Sequence, residues 1–324
     1  MLGRLRDLIT RLPRQFQVWR RARRARSNFD RELALLPILV ERSESAVDVG
    51  AHLGIYTWPL SRLSRKVYAI EPNPELARRL RASFGKRVEV LQCALSDTQG
   101  RATLRIPKYQ GHELLGRSSL EIGANREFEH REIEVPLRTL DSLELTDCAF
   151  IKVHVEGHEL AVFQGGKRTL EELRPTILAS AQVRFAPDDP ERLNRFLAEL
   201  GYRGYFLEQG RLRPFACFDP LVHQRPDTVK KPGERDLKAT YIYNFLYVHP
   251  ARAAVLDRLS HIISDELTQT SETDRVPGGG VAARWPACSL EWAGADSRSK
   301  RIGAKVLKTL GGREDERGSL SALV

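Results

Sequence analysis

Between Glu44 and Val248, short apolar runs alternate with longer stretches whose apolar residues recur at helical spacing. This is the pattern of a mostly parallel sheet covered by helices on both faces. The expected parallel strands, in chain order, are 46–49, 67–70, 88–95, 150–155 and 176–180. Two antiparallel candidates follow, a hairpin over 205–215 that turns at Gln209-Gly210 and a closing strand over 240–248. Asn73 is placed to cap a helix that opens on Pro74 and Glu75 and stops before Gly85. A second helix is expected with Asp189 as its cap and Pro190 at its first position; Leu193, Phe196, Leu197 and Leu200 lie on one face and Gly201 at its end. The stretch 106–136, with Gly111, Gly116 and Gly123, is too long for an ordinary connection and is expected to be a lid or substrate loop. Past Pro250 a helix over 251–267 gives way to Thr/Ser-rich sequence, Pro277-Gly278-Gly279-Gly280 and a charge-balanced tail. The division that results is an arm over 1–30, an α/β domain over 31–250 and a C-terminal helix and tail over 251–324.

Charge changes the picture only at the amino end. The formal net charge of the 324 residues is +10, but residues 1–26 hold nine Arg and one Asp, so the rest of the chain is close to neutral. In the arm Leu2, Leu5, Leu8, Ile9, Leu12, Phe16 and Trp19 recur at helical spacing among the arginines, with a break expected at Pro13. Two readings stand: an interfacial helix on an anionic membrane surface through residues 1–27, or a helix packed on its own domain or a partner. An RNA-binding arm is the third reading, disfavoured by the neutrality of the remaining chain. The longest apolar run, Leu33 to Val40, falls far short of the roughly 20 residues that cross a bilayer. Arginines interrupt the opening residues where a secretory signal is apolar, so export by that route is not expected. Cys93, Cys148, Cys217 and Cys288 lie far apart, which points to reduced thiols in a cytosolic protein rather than a zinc site or disulfide framework.

The chemistry-bearing segment is Asp48-Val49-Gly50-Ala51-His52-Leu53-Gly54-Ile55-Tyr56-Thr57, a strand end, a turn with two glycines four apart and a helix start. Glycine there lets a ligand approach the backbone, and the free N–H groups at a helix start favour an anionic group. Glu71 ends the second strand, where a carboxylate accepts the hydroxyls of a ribose. Neither G-x-G-x-x-G nor the phosphate-binding G-x-x-x-x-G-K-[ST] is present, which disfavours dinucleotides and ATP. An Asp two residues before the first glycine suits an S-adenosylmethionine site. The alternative is a structural strand-helix turn with Glu71 as a solvated acid.

Residues 47–57, 67–75, Ala94-Leu95-Ser96-Asp97, Thr139-Leu140-Asp141 and 150–159 (Phe-Ile-Lys-Val-His-Val-Glu-Gly-His-Glu) resemble the ordered motifs of FkbM-type methyltransferases over about residues 44–249. The resemblance implies a class I S-adenosylmethionine-dependent methyltransferase fold: α/β, Rossmann-like, a doubly wound and mostly parallel sheet with an antiparallel closing strand. For most members it implies O-methylation of a sugar, glycolipid or secondary-metabolite hydroxyl. It also places Gly50 to Gly54 at the cofactor's methionine part, Glu71 at its ribose and Ser96-Asp97 at its adenine. The expected cofactor-binding set is therefore Asp48, Gly50, Ala51, Gly54, Tyr56, Thr57, Glu71, Asn73, Ser96 and Asp97.

The chain departs from the family in one position: His154 stands where the fourth-strand motif has Asp. An imidazole serves as a base but is a poor ligand for a hard ion such as magnesium, so no metal is expected. Transfer to an alcohol needs such a base. His154 or His158 is the candidate, with Glu156 orienting it or the substrate; the alternative is a buried, satisfied His154, a helix-capping Glu156 and an exposed His158. Arg117-Ser118-Ser119 is a candidate for holding substrate oxygens or a solvated loop. The expected activity is O-methylation of a small-molecule, glycan or glycolipid acceptor. The rivals are an RNA methyltransferase and a non-catalytic S-adenosylmethionine-binding or scaffold module.

Overall fold

The computed structural model describes residues 14–28, 30–186, 188–225 and 241–260. Its centre is an eight-stranded sheet. In chain order its strands are β1 (Ala46–Val49), β2 (Val67–Ile70), β3 (Val88–Leu91), β8 (Phe150–Val153), β9 (Thr176–Ser180), β10 (Arg203–Glu208), β11 (Arg211–Pro214) and β12 (Asn244–Val248). Four more, β4 (Ala94–Leu95), β5 (Gly100–Tyr109), β6 (His112–Glu113) and β7 (Glu129–Arg138), form a separate sheet. The large sheet runs β11-β10-β12-β9-β8-β1-β2-β3. From β9 to β3 all neighbours are parallel, while β12 is antiparallel to both β9 and β10. The expected α/β fold with an antiparallel closing strand is the one observed. The strands β1, β8 and β9 are buried along their whole length, as strands covered on both faces must be.

The apolar run from Leu33 to Val40 is neither strand nor loop but two short helical turns, Arg31–Ala34 and Leu36–Leu39. They bury Leu35, Leu36, Ile38 and Leu39 with Ala46, Leu60 and Phe150 on one face of the sheet. The opposite face buries Val47, Val49, Ile151, Phe163, Leu193, Leu197 and Phe245. Each such side chain contributes about 1.5–3 kcal/mol of transfer free energy, so these two layers carry the fold.

Local signals placed most elements. Asn73 caps the helix Pro74–Ser83, its Oδ1 accepting the amides of Glu75 and Leu76 at 2.9 and 3.4 Å. The hairpin β10–β11 turns at Gln209-Gly210, both with positive φ, which suits a tight two-residue turn. Three expectations need correction. Residues 88–95 are two strands, not one: the chain leaves the large sheet after Leu91 and β4 joins the second sheet. The stretch 106–136 is not a structureless loop, since β5 and β7 pair over nine residues and bury Leu104, Ile106 and Val135 with Ala94. Mixed charge on the outer face of that hairpin masked its alternation. The helix expected to be capped by Asp189 begins at Asp189 itself, preceded by Asp188; the Asp189 carboxylate instead accepts the backbone N–H of Gln182 at 3.1 Å.

The arm is described only from Arg14, so the apolar positions from Leu2 to Leu12 and the break at Pro13 lie outside the described residues. The helix Arg14–Asn28 packs on the helices Thr57–Leu63 and Pro74–Ser83. It buries Val18, Ala22 and Ala25, while Phe16 is exposed, its ring 4.9 Å from that of the half-buried Trp19 and tilted by 41°. The expected apolar stripe is thus not the packed one in this part: small residues allow the close approach to the domain, and the aromatic pair is left outside. The C-terminal helix is described over Ala253–Leu259, and the tail with Cys288 lies outside the described residues. Among the described residues no helix is long and apolar enough to cross a membrane, and Cys93, Cys148 and Cys217 are free thiols.

Candidate functional site

The carboxyl ends of β1, β2 and β8 lie side by side, because β1 pairs with both neighbours in register. The turn after β1 is built around Gly50, with φ +76°, whose amide bonds Ile70 O; a Cβ there would lie 2.1 Å from the carbonyl oxygen of His154. Gly54 also has positive φ, and its Cβ would press on Phe84 and Leu80. Both glycines are therefore required by the chain's own packing, and the first also sets how near His154 comes to the turn. Ala51 is buried in the turn. Asp48 is buried and accepts the Thr57 hydroxyl, which ties strand end to helix start. Burial pushes the Asp48 carboxyl up, opposed by that hydrogen bond.

Glu71 is buried and takes one backbone N–H on each oxygen, His52 at 2.8 Å and Asn73 at 2.9 Å. Burial raises it to about 7 against the pull of those two amides. Beside it the Asn73 Nδ2 is buried and has no hydrogen-bond partner among the described residues. Each Glu71 oxygen keeps a lone pair for a further donor, and Asn73 offers an unspent donor. The two hydroxyls of a vicinal diol fit such a pair, donating to Glu71 and accepting from Asn73. His52, at φ +49°, is pushed down to about 4 by burial and by His154, so its imidazole is neutral.

After β8 the segment 154–158 is held by Glu159, a residue of the 150–159 motif to which the sequence assigned no role. Glu159, buried, accepts the amides of Val155 and Gly157, both at 2.9 Å, and the Ser180 hydroxyl at 2.8 Å. The left-handed backbone at Glu156 (φ +55°) and Gly157 (φ +101°) follows from this clamp. Glu156 does not cap the next helix: its carboxylate bonds His154 Nε2 at 3.2 Å and the Arg184 guanidinium. Burial pushes Glu156 up, but the His154 hydrogen bond and the Arg184 charge outweigh it and hold the group below the usual carboxylate range. Ser119 reaches across from the second sheet's long connection and donates to Glu156 O at 2.7 Å. The Tyr243 ring lies 5.8 Å from the His154 ring.

His158 is engaged at both ring nitrogens, Nδ1 with Glu121 Oε1 at 2.6 Å and Nε2 with Ser96 Oγ at 2.9 Å; Ser96 Oγ in turn lies 3.0 Å from Asp97 Oδ1. His158 thereby joins the end of β4 to the 115–128 segment, and it has no free nitrogen in this arrangement to act as a base. His154 is partly exposed at the rim, with its Nε2 on the Glu156 carboxylate at 3.2 Å. The sequence left His154 and His158 as equal candidates; the partners supplied by Glu121 and Ser96 separate them.

Behind His154, on the same side of β8, Lys152 is buried with its Nζ donating to Val153 O and lying 5.0 Å from the Tyr56 ring centre. Burial lowers the ammonium's pKa, opposed first by Asp30 and Asp48. Asp30 accepts the Tyr243 hydroxyl at 2.9 Å, and Asn244 reaches Glu32 at 3.3 Å. The helical turns at 30–34 therefore close one wall of the site. Nothing in their sequence showed it, because these acids meet Lys152 only through the fold.

Residues 48–203 match a family described as methyltransferase FkbM domain. No curated protein matches the chain. Among solved structures it is similar to methyltransferase FkbM from Methylobacillus flagellatus KT, at 18% identity with a TM-score of 0.39, over 64% of this chain and 44% of that one. The chain thus spans less than half the length of that relative. It is also similar to a SAM-dependent methyltransferase from Aquifex aeolicus, at 12% identity with a TM-score of 0.34, over 72% of this chain and 97% of that one. A third is a Streptococcus mutans protein solved in complex with SAH, at 10% identity with a TM-score of 0.34, over 66% of this chain and 93% of that one.

Proposed function

We propose that this chain, a member of the FkbM methyltransferase family through residues 48–203, transfers a methyl group from S-adenosylmethionine to a hydroxyl of a glycan, glycolipid or related small metabolite. The observation that carries the reading is the meeting of three groups at one sheet edge. The glycine turn, the ribose-suited pair of Glu71 and Asn73, and the His154–Glu156 pair all end neighbouring strands, the edge where open α/β sheets bind ligands. S-adenosylmethionine supplies an electrophilic methyl carbon. Gly50, Ala51 and His52 line the turn beside the Glu71 carboxylate, which would accept the ribose hydroxyls while the Asn73 Nδ2 donates.

An in-line methyl transfer asks the protein to align the acceptor and to take its proton. The Glu156 carboxylate, kept ionised by Arg184, faces His154 Nε2. In the neutral imidazole the Nε2 then carries the hydrogen and donates to Glu156, leaving the Nδ1 lone pair to receive the acceptor's proton. The acceptor oxygen would then bond the methyl carbon with the electron pair so freed, the carbon–sulfur pair leaving on the sulfur of S-adenosylhomocysteine, and the Glu156 carboxylate would stabilise the imidazolium that results.

The experiment is transfer of labelled methyl from S-adenosylmethionine to a panel of sugars, glycolipids and aromatic alcohols, with His154→Gln as the comparison. Incorporation by the wild type that falls by about 100-fold or more in the variant supports the reading. Equal incorporation by both removes His154 from the mechanism.

A further inference from the structure

Among the described residues four large apolar side chains are strongly exposed: Phe16 (41%), Ile122 (71%), Leu221 (82%) and Val222 (57%). Singly, such residues need no explanation. Three of these four share one edge of the molecule, on segments that touch the candidate site. Ile122 follows Glu121, whose carboxylate holds His158 at 2.6 Å. Leu221 and Val222 belong to the helical turn Pro220–His223. That turn is fixed at the carboxyl edge by the contacts of His223 and Gln224. Gln224 donates to Ala181 O and accepts from Val183 N just past the end of β9, and His223 meets Glu208 at the end of β10. One residue beyond Val183, Arg184 pairs with Glu156 inside the site.

Exposed cations lie beside Ile122 and on the helix that packs next to the glycine turn. Arg126 is exposed and folds back over Gly123, next to Ile122. On the arm helix Arg20, Arg21 and Arg24 are exposed. The helix that carries them packs on the helices Thr57–Leu63 and Pro74–Ser83, the first of which starts at the end of the glycine turn. Two acids next to the exposed apolar groups are held by neighbours, Glu121 by His158 and Asp219 by the Leu221 amide. Protruding apolar side chains and exposed guanidinium groups suit an interface where hydrocarbon and anionic headgroups lie a few ångströms apart.

We propose that this edge docks onto an anionic phospholipid surface, with Ile122, Leu221 and Val222 entering the headgroup boundary and the arm's arginines meeting lipid phosphates, so that the mouth of the site faces the bilayer. The docking is independent of the reaction. That the acceptor hydroxyl is then carried by a lipid-anchored molecule rests on the methyl transfer proposed above.

The test is flotation of the full chain with vesicles of phosphatidylglycerol and phosphatidylcholine in equal parts, and with phosphatidylcholine alone. It is run for the wild type, for Ile122→Ser/Leu221→Ser/Val222→Ser, and for Arg20→Gln/Arg24→Gln. All five positions are exposed, and equal thermal unfolding with equal calorimetric binding of S-adenosylhomocysteine checks that each variant is intact. The wild type is expected to float with the anionic vesicles only, and less so as salt rises. The triple variant should lose about tenfold or more of its partition, and the arginine variant should lose the preference for anionic lipid. A wild type that stays with the soluble fraction overturns the proposal, as does a triple variant that floats like the wild type. Polyuridylate binding that the triple substitution leaves unchanged, without flotation, points to RNA and also overturns it. A wild type that floats yet binds no S-adenosylhomocysteine contradicts the methyl transfer reading and supports the docking.

Discussion

Replacing Glu159 by Ala tests how the rim is held. Glu159 Oε1 accepts the Val155 amide and the Ser180 hydroxyl, and Oε2 accepts the Gly157 amide. Alanine strands three donors in a region where Glu159 itself is buried. At about 1–3 kcal/mol for each buried donor left unsatisfied, less what entering water recovers, the cost is about 3–5 kcal/mol. Glutamine separates the contributions. Its oxygen can keep the two donors on Oε1, but its amide N–H groups then face the Gly157 N–H, so the cost falls to about 1–3 kcal/mol. Urea unfolding gives both values if the slope m stays constant, and amide hydrogen exchange at Val155 and Gly157 should accelerate in both variants. An alanine variant within about 1 kcal/mol of the wild type would refute the clamp. So would a glutamine variant as damaged as the alanine one.

Three further outcomes follow from the geometry. His154→Gln should leave S-adenosylhomocysteine affinity within about twofold while turnover falls by about 100-fold or more, which calorimetry and labelled-methyl transfer measure separately. Gly50→Ala should destabilise the fold by more than about 2 kcal/mol, because it adds strain at φ +76° to a Cβ contact of 2.1 Å with His154 O; an unchanged unfolding midpoint would show that the turn yields. Glu71 carries a pH signature. Its carboxyl rises from the ordinary 4.5 to about 7 on folding, so folding favours the protonated form. The stability it contributes is full below the unfolded value and is lost as pH rises through about 7. Glu71→Gln should remove that part of the slope, and ligand hydroxyls that prefer the carboxylate should make wild-type S-adenosylhomocysteine binding tighten as pH rises through the same range.

The central strands were legible because each is a short apolar run bounded by turn residues, and Ala46–Val49, Val67–Ile70 and Thr176–Ser180 are observed as expected. The Asn73 cap was legible for a local reason, since the contacts that make it span only three residues. The second sheet was not: β5 and β7 pair residues 21 to 37 apart in the chain, and the charged outward positions of both hide the alternation that marks a half-buried strand. The site divides in the same way. The glycine turn and Glu71 belong to contiguous motifs and could be named. Lys152 and Glu159 lie within the motif that was quoted, but their work is done through Asp30, Val155, Gly157 and Ser180, and only folding supplies those neighbours. Arg184 and the carboxylates of Asp30 and Glu32 carry no sequence signature because each acts on a strand distant in the chain. The arm shows the limit of periodicity: it gave a helix, but which stripe is buried was set by the small residues Ala22 and Ala25 and not by the aromatic ones.

The account stands most directly on whether the carboxyl edge binds the methyl donor through Glu71. Calorimetric titration of the purified chain with S-adenosylmethionine and S-adenosylhomocysteine, repeated on Glu71→Ala, measures this. The account predicts saturable one-to-one binding by the wild type that weakens by about tenfold or more in the variant, the loss of about one charge-assisted hydrogen bond. No binding by properly folded wild type, or equal affinity in both proteins, would contradict it.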